Sequence, residues 1–139
     1  PLDEIAIASW LKRDTLDNIR ETGEFVVNVP TVDMADAVEI CAKSFPPEVD
    51  EFEEAGLSPH PSTKVAPPGI AGCVAWMECE LVEEILRERF SLIIGRVVFL
   101  EGNDEFFGPE GGMDFERARP MSMILGPDGA CYTRPTTDG

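Results

Sequence analysis

Apolar and polar residues alternate weakly over residues 4–9, which predicts the end of a strand. Asp14 or Thr15 can cap a short helix running to Thr22, and Gly23 suits the left-handed position that closes a helix. The run Phe25-Val26-Val27-Asn28-Val29 reads as a buried strand, and Pro30 ends it. Asp33 can cap a second helix over residues 34–43, with Met34, Val38 and Cys41 at helical spacing. Residues 45–47 read as a loop, and residues 49–55 as a short acidic helix ended by Gly56, with Phe52 as its inward anchor. The proline-rich stretch 60–69 predicts an extended crossing. Two long β-like runs follow, 73–86 and 90–100, and the three residues Arg87-Glu88-Arg89 between them predict an antiparallel hairpin. Residues 102–112 form a Gly-rich loop, 113–129 are weakly patterned, and 132–139 read as a tail. Phe106 and Phe107 in that loop suit a lid, a partner contact or a mobile surface.

Long strand pairs, short helices and irregular crossings predict a mostly β protein of the α+β class, a β-barrel with helical additions. The chain has 139 residues and 43% hydrophobic content, which suits one core. No repeat or internal boundary stands out, so one domain is expected over 1–134 with a tail at 135–139. No apolar run reaches the roughly 18 residues of a membrane helix, no secretory signal is visible, and the chain opens on Pro1.

Net charge is −16, from 27 acidic against 11 basic residues. Such a chain is a poor partner for nucleic acid or for an anionic membrane. A solubility-tuned acidic surface and adaptation to a salty cytoplasm both fit. Cys41, Cys73, Cys79 and Cys131 form no C-x-x-C pair and there is one histidine, so no zinc site is expected. Cys73 and Cys79 read as small core residues, and free thiols suit a cytoplasmic protein.

In so acidic a chain the adjacent cations of Trp10-Leu11-Lys12-Arg13-Asp14-Thr15 stand out, with Asn18 one turn later. The stretch lies where a strand ends and a helix begins. The first helix amides lack internal partners and the helix dipole makes that end electropositive. Two cations and a hydroxyl beside them suit a phosphate. The residues alone favour a solvated turn with Asp14 as cap.

The stretch Lys-Arg-Asp-Thr-Leu-Asp-Asn-Ile-Arg-Glu-Thr-Gly-Glu-Phe-Val-Val-Asn, 12–28, resembles the flavin reductase-like family, particularly its flavoredoxin branch. In the same order, 49–57 resemble that family's D-x-F-x-x-A-G-L helix, Pro67-Pro68-Gly69-Ile70 its P-x-I segment, and Glu78-Cys79-Glu80-Leu81 its E-C-x-L segment. Ile94-Gly95-Arg96-Val97 resembles its I-G-x-V strand, and Arg119-Pro120 and Tyr132 two later features. The resemblance covers roughly residues 5–134. It implies a split β-barrel that dimerises and holds FMN, less often FAD, near the subunit interface. It further implies that Lys12, Arg13 and Thr15 contact the flavin phosphate within the Lys12-Arg13-Asp14-Thr15 turn, which Asn18 can support. Trp10, next to that turn, can cover the flavin or lie at a dimer edge, while a single aromatic is more often a packing residue. About two further strands preceding Pro1 belong to that pattern, so the N-terminus is expected to be incomplete, or the chain unable to hold flavin alone. Many such reductases carry His where Phe90 stands, which leaves no catalytic residue assigned; His60 is no evident replacement. The implied function is an FMN-binding oxidoreductase passing electrons from NAD(P)H or a protein donor through the flavin to an acceptor. The alternative is a non-catalytic electron relay or a dimeric scaffold.

Overall fold

The computed structural model describes residues 3–127, 129–133 and 135. In β1 (Glu4–Trp10) the odd residues Ile5, Ile7 and Ser9 are the better-buried set, while Glu4, Ala6, Ala8 and Trp10 are exposed. That is the period-two pattern of a half-buried strand. Helix α1 (Asp14–Thr22) buries Leu16 and Ile19, three residues apart on one face. Gly23 closes it at φ 70°, its N–H donating to the Ile19 carbonyl at 2.8 Å. Strand β2 (Glu24–Val29) follows. A 3₁₀ turn (Val32–Met34) leads into α2 (Ala35–Cys41), then α3 (Glu51–Glu54), with Asp50 capping α3 through bonds from the Phe52 and Glu53 amides. Two short strands, β3 (Pro59–His60) and β4 (Gly69–Ile70), pair at the ends of the crossing. The long strands are β5 (Ala75–Leu86) and β6 (Phe90–Gly102). A second 3₁₀ turn (Asp104–Phe106), α4 (Phe115–Ala118), β7 (Ser122–Gly126) and β8 (Gly129–Thr133) complete the described chain.

The main sheet has the order β1-β6-β5-β2. β1 runs antiparallel to β6, from Glu4 opposite Arg96 to Trp10 opposite Phe90. The residues pack as two compact units. The first takes the chain up to Val27, the crossing His60–Gly69, and Met77–Leu100. Its core is Leu16, Ile19, Phe25, Cys79 and Ile93, with Ile5, Ile7, Leu81 and Val97 packed against them. Gly95 sits on that face, where an added Cβ would overlap the Phe25 ring (2.8 Å to Cε1) and press on Cys79 Cβ at 3.3 Å. The I-G-x-V motif thus has a packing cause.

Polar ties complete this unit. The Glu78 side chain is buried and accepts from the amides of Thr63 (2.9 Å), Lys64 (2.6 Å) and Val65 (3.1 Å). Burial pushes its carboxyl up, but the three amides, helped by the charge of His60, outweigh this and hold it below the usual range. Glu24 accepts from the Ala66 amide at 2.8 Å. Glu84 receives both the Arg20 guanidinium, at 2.5 to 3.1 Å, and the Ser91 hydroxyl at 2.5 Å, which bolts α1 to β5 and β6. The Arg20 and Ser91 hydrogen bonds bring the Glu84 carboxyl down to about 2.

The second unit comprises Asn28–Pro59, Ile70–Trp76 and the chain from Glu101 onward. Its core is Val74, Phe106 and Ala118, with Val29, Phe107 and Met113 packed against it. Trp76 is buried and its indole N–H donates to the Ile70 carbonyl at 2.8 Å. Three sequence expectations change here. The helix expected over 34–43 runs over Ala35–Cys41, and Asp33 does not cap it: Asp33 lies inside the preceding 3₁₀ turn, and its carboxylate receives the Arg119 guanidinium at 2.9 Å. Phe106 is neither lid nor mobile surface but core, and Phe107 packs beside it and against Gly102. Tyr132 is not in a tail: it pairs with Met123 in the β7–β8 hairpin. Of the expected tail 135–139, residues 136–139 lie outside the described residues.

Two outcomes follow for stability. Gly95→Ala should cost about 1–3 kcal/mol of overpacking, read as a lower denaturant midpoint at unchanged slope. In acid, the folded state holds Glu84 below its ordinary 4.5, so it binds fewer protons than the unfolded chain. The stabilisation is present above 4.5 and is lost as pH falls through about 2. Glu84→Gln should flatten that part of the acid-unfolding curve while leaving its neutral slope unchanged.

Candidate functional site

β1 ends at Trp10, the chain bends through Leu11 and Lys12, and α1 begins at Asp14. The residue flanking the helix is Arg13, in extended conformation at φ −135°, ψ 136°. Its carbonyl accepts the first helical bonds, from the Leu16 amide at 3.1 Å and the Asp17 amide at 3.3 Å. No side chain caps this end, so the expectation that Asp14 or Thr15 does so is corrected. A capping side chain must sit on the non-helical flanking residue to reach back to the first amides, and both Asp14 and Thr15 already lie inside the first turn. The amides of Asp14 and Thr15 precede the first helical bond and belong to the electropositive end of the helix.

Trp10 (61% exposed), Lys12, Asp14, Thr15 and Asn18 are all exposed, and Arg13 is half-buried. Thr15 and Asn18 lie on a helix whose other face buries Leu16 and Ile19. Lys12 and Trp10 line a shallow cleft together with Leu11, Glu88 and Arg89. A neighbouring hollow is lined by Ala8, Ser9, Trp10 and Phe90. Arg87 and Arg89 were no part of the sequence expectation, which took 87–89 only as a connection. Arg89 comes to the cleft of Lys12 because Trp10 stands opposite Phe90 in the sheet, and pairing register is not visible in linear order. The signal available was arithmetic: Lys12, Arg13, Arg87 and Arg89 are four of only eleven basic residues. The cations, the Thr15 hydroxyl and the first-turn amides are a donor set that fits a phosphate monoester. Asp14 and Asp17 in the same turn oppose it, so side-chain cations have to outweigh them.

The other candidates carry no comparable chemistry. Trp76 belongs to the core. Burial pushes the Cys73 and Cys79 thiols up to about 11, and burial with the nearby Glu51 charge raises Cys41. Cys41 and Cys73 line an apolar hollow of the second unit with Met34, Val38 and Leu57. Among the described residues no cluster of three or more His, Cys, Asp or Glu is placed to hold a metal, and no helix is long and apolar enough to cross a membrane. Near pH 8, where an ordinary thiol is partly ionised, iodoacetamide should modify exposed Cys131 first, Cys41 more slowly, and leave Cys73 and Cys79 unmodified until the chain unfolds. Peptide mass mapping reads the order.

With this geometry in view, the chain can be set beside known proteins. It is 50% identical over 129 residues to a protein of Methanothermobacter thermautotrophicus, covering 89% of this chain and 61% of that one. It is 32% identical over 114 residues to a protein of Aquifex aeolicus, covering 82% and 58%. The chain therefore spans about three-fifths of the length of these relatives. Among solved structures, nitrilotriacetate monooxygenase component B from Bacillus cereus superposes with a TM-score of 0.84 at 28% identity, over 98% of this chain and 70% of that one. Flavoredoxin of Desulfovibrio vulgaris superposes with a TM-score of 0.82 at 20% identity, over 96% and 70%, and so shares the fold, the expected split barrel. The profile of the flavin reductase like domain matches residues 4–118, and the chain belongs to that family.

Proposed function

We propose that this chain is the flavin-phosphate-holding part of an FMN-dependent oxidoreductase, and that the corner formed by Trp10, Lys12, Arg13, Asp14, Thr15 and Asn18 is where the cofactor's phosphate sits. The observation that carries this reading is the uncapped start of α1, with two adjacent cations and a hydroxyl placed at it, in a chain of the flavin reductase-like family. Lys12 and Arg13 supply charge, the amides of Asp14 and Thr15 direct hydrogen bonds, and the Thr15 hydroxyl adds one more donor. Asn18 supports the turn from one helical turn away. Trp10 offers an exposed indole face against which a planar ring can lie. Bound flavin supplies the hydride and electron chemistry; the part of these residues is to grip and orient it.

Two solved structures at 28% identity, a monooxygenase component and a 2-nitrobenzoate 2-nitroreductase, support a redox role. The electron source we propose is NAD(P)H or a protein donor, and the working form a homodimer. A second reading, an electron relay or scaffold that does no chemistry of its own, draws on one observation. Phe90, beside Trp10 in the sheet, cannot exchange a proton. Bleaching of flavin absorbance on stopped-flow mixing with NADH or NADPH, at turnover rates, favours the reductase; reduction by a protein donor alone favours the relay.

The phosphate assignment is tested by titrating the full-length protein with FMN and with riboflavin, which lacks the phosphate. Lys12→Ala with Arg13→Ala should weaken FMN by about tenfold or more, the value of one or two charge-assisted bonds, and leave riboflavin nearly unchanged. Equal weakening of both ligands would remove the assignment.

A further inference from the structure

Helix α2 buries none of its residues fully. Yet Met34, Val38 and Cys41 recur at the spacing of one helix face. That face borders an apolar hollow of about 250 Å³, which Ala37, Leu57 and Cys73 also line. Every residue of the lining belongs to the second unit, and none to the basic turn. An apolar cavity of about 150 Å³ already stays dry and admits benzene, so this space suits a molecule with one ring or a short alkyl chain.

The lining is selective in its chemistry. No charged side chain contributes to it. Its one side-chain amide, Asn28, accepts from the Ile70 amide at 2.8 Å. Burial pushes the Cys73 thiol up to about 11, and burial followed by the charge of Glu51 raises Cys41, so both thiols are neutral near pH 7. With Met34 they make the wall rich in sulfur, which packs well against aromatic rings.

The edge of the hollow is acidic. Helix α2 packs against α3, and Glu51 at the start of α3 is near enough for its charge to act on Cys41. Asp36 and Glu39 of α2, with Glu51, Glu53 and Glu54 of α3, stand against Lys43 alone on this pair of helices. Such an edge repels an anion and favours a cation whose apolar part enters the hollow.

We propose that this hollow is a binding site for a small hydrophobic amine, its aryl or alkyl group against Met34, Val38 and Leu57 and its ammonium beside Glu51. The site is independent of the flavin reading, since it takes no residue from the basic turn.

The test uses the full-length protein with ¹³C-methyl-labelled methionine, the Met34 signal being assigned through Met34→Leu. Benzylamine, benzyl alcohol and benzoate share one ring and differ in charge. Benzylamine should shift the Met34 methyl saturably, at about millimolar strength for so small a ligand, while Met77 of the first unit stays still. It should bind about threefold tighter than benzyl alcohol and about tenfold tighter than benzoate. Glu51→Gln should bring benzylamine to the level of benzyl alcohol. Ala37→Phe, which fills the hollow, should abolish all binding, with far-UV circular dichroism confirming the fold. The proposal is overturned if the Met34 signal does not respond, if either other ligand binds as tightly as benzylamine, or if Glu51→Gln leaves benzylamine affinity intact.

Discussion

The antiparallel register of β1 on β6 is the constraint on which the first unit depends. Side chains alternate along a strand, so a slip of one residue would send Ile5 and Ile7 to the open face and bring Ala6 and Ala8 into the core. The register also sets Ile5 opposite Gly95, the position that must lack a side chain because Phe25 and Cys79 fill the space. Core and corner are therefore one problem. The pairing that seats Ile5 and Ile7 also sets Trp10 against Phe90, and with it the basic turn against the hairpin tip.

Acidic residues hold much of this molecule together, which the net charge alone conceals. Glu78 gathers the amides of a crossing whose prolines Pro61, Pro67 and Pro68 can donate nothing themselves. Its burial would be costly without those three donors. Glu84 joins a helix to two strands, and Asp33 takes Arg119 from far along the chain. Asp50 and Asp114, like the neutral amide of Asn103, cap the starts of short helical turns.

What could be read along the chain follows from how local each signal is. The strand expected over 4–9, the helix to Thr22 and the stop at Gly23 carry their own periodicity and their own terminator, and they form, the strand running one residue further to Trp10. The hairpin of β5 and β6 was legible from two long apolar runs with a three-residue break. The helix after Pro30 forms over Ala35–Cys41, but its start was misplaced: Asp33 lies inside the preceding 3₁₀ turn, where its carboxylate meets Arg119, 86 residues away. The β7–β8 hairpin escaped notice because Met123 and Ile124 are adjacent, apolar and both exposed, which hides the alternation. Phe106 looked like surface because glycines surround it, although its ring fills a core with Val74 and Ala118. In the site, the Lys12-Arg13 turn was visible because its residues are contiguous. Arg89 of the hairpin tip was not, because only strand pairing brings it near.

The basic corner has a kinetic consequence. Seen from beyond a screening length of about 8 Å at physiological salt, the protein is an object of charge −16, and it repels any phosphate compound that approaches. Within that length the cations of residues 12, 13 and 89 act, opposed by Asp14, Asp17 and Glu88. Added salt therefore acts on encounter in two opposed ways: it lowers the long-range barrier and weakens the short-range grip. A ligand caught here should arrive faster as ionic strength rises from low values, and stay for less time, the reverse of the fast low-salt capture expected of an enzyme whose whole surface attracts its substrate.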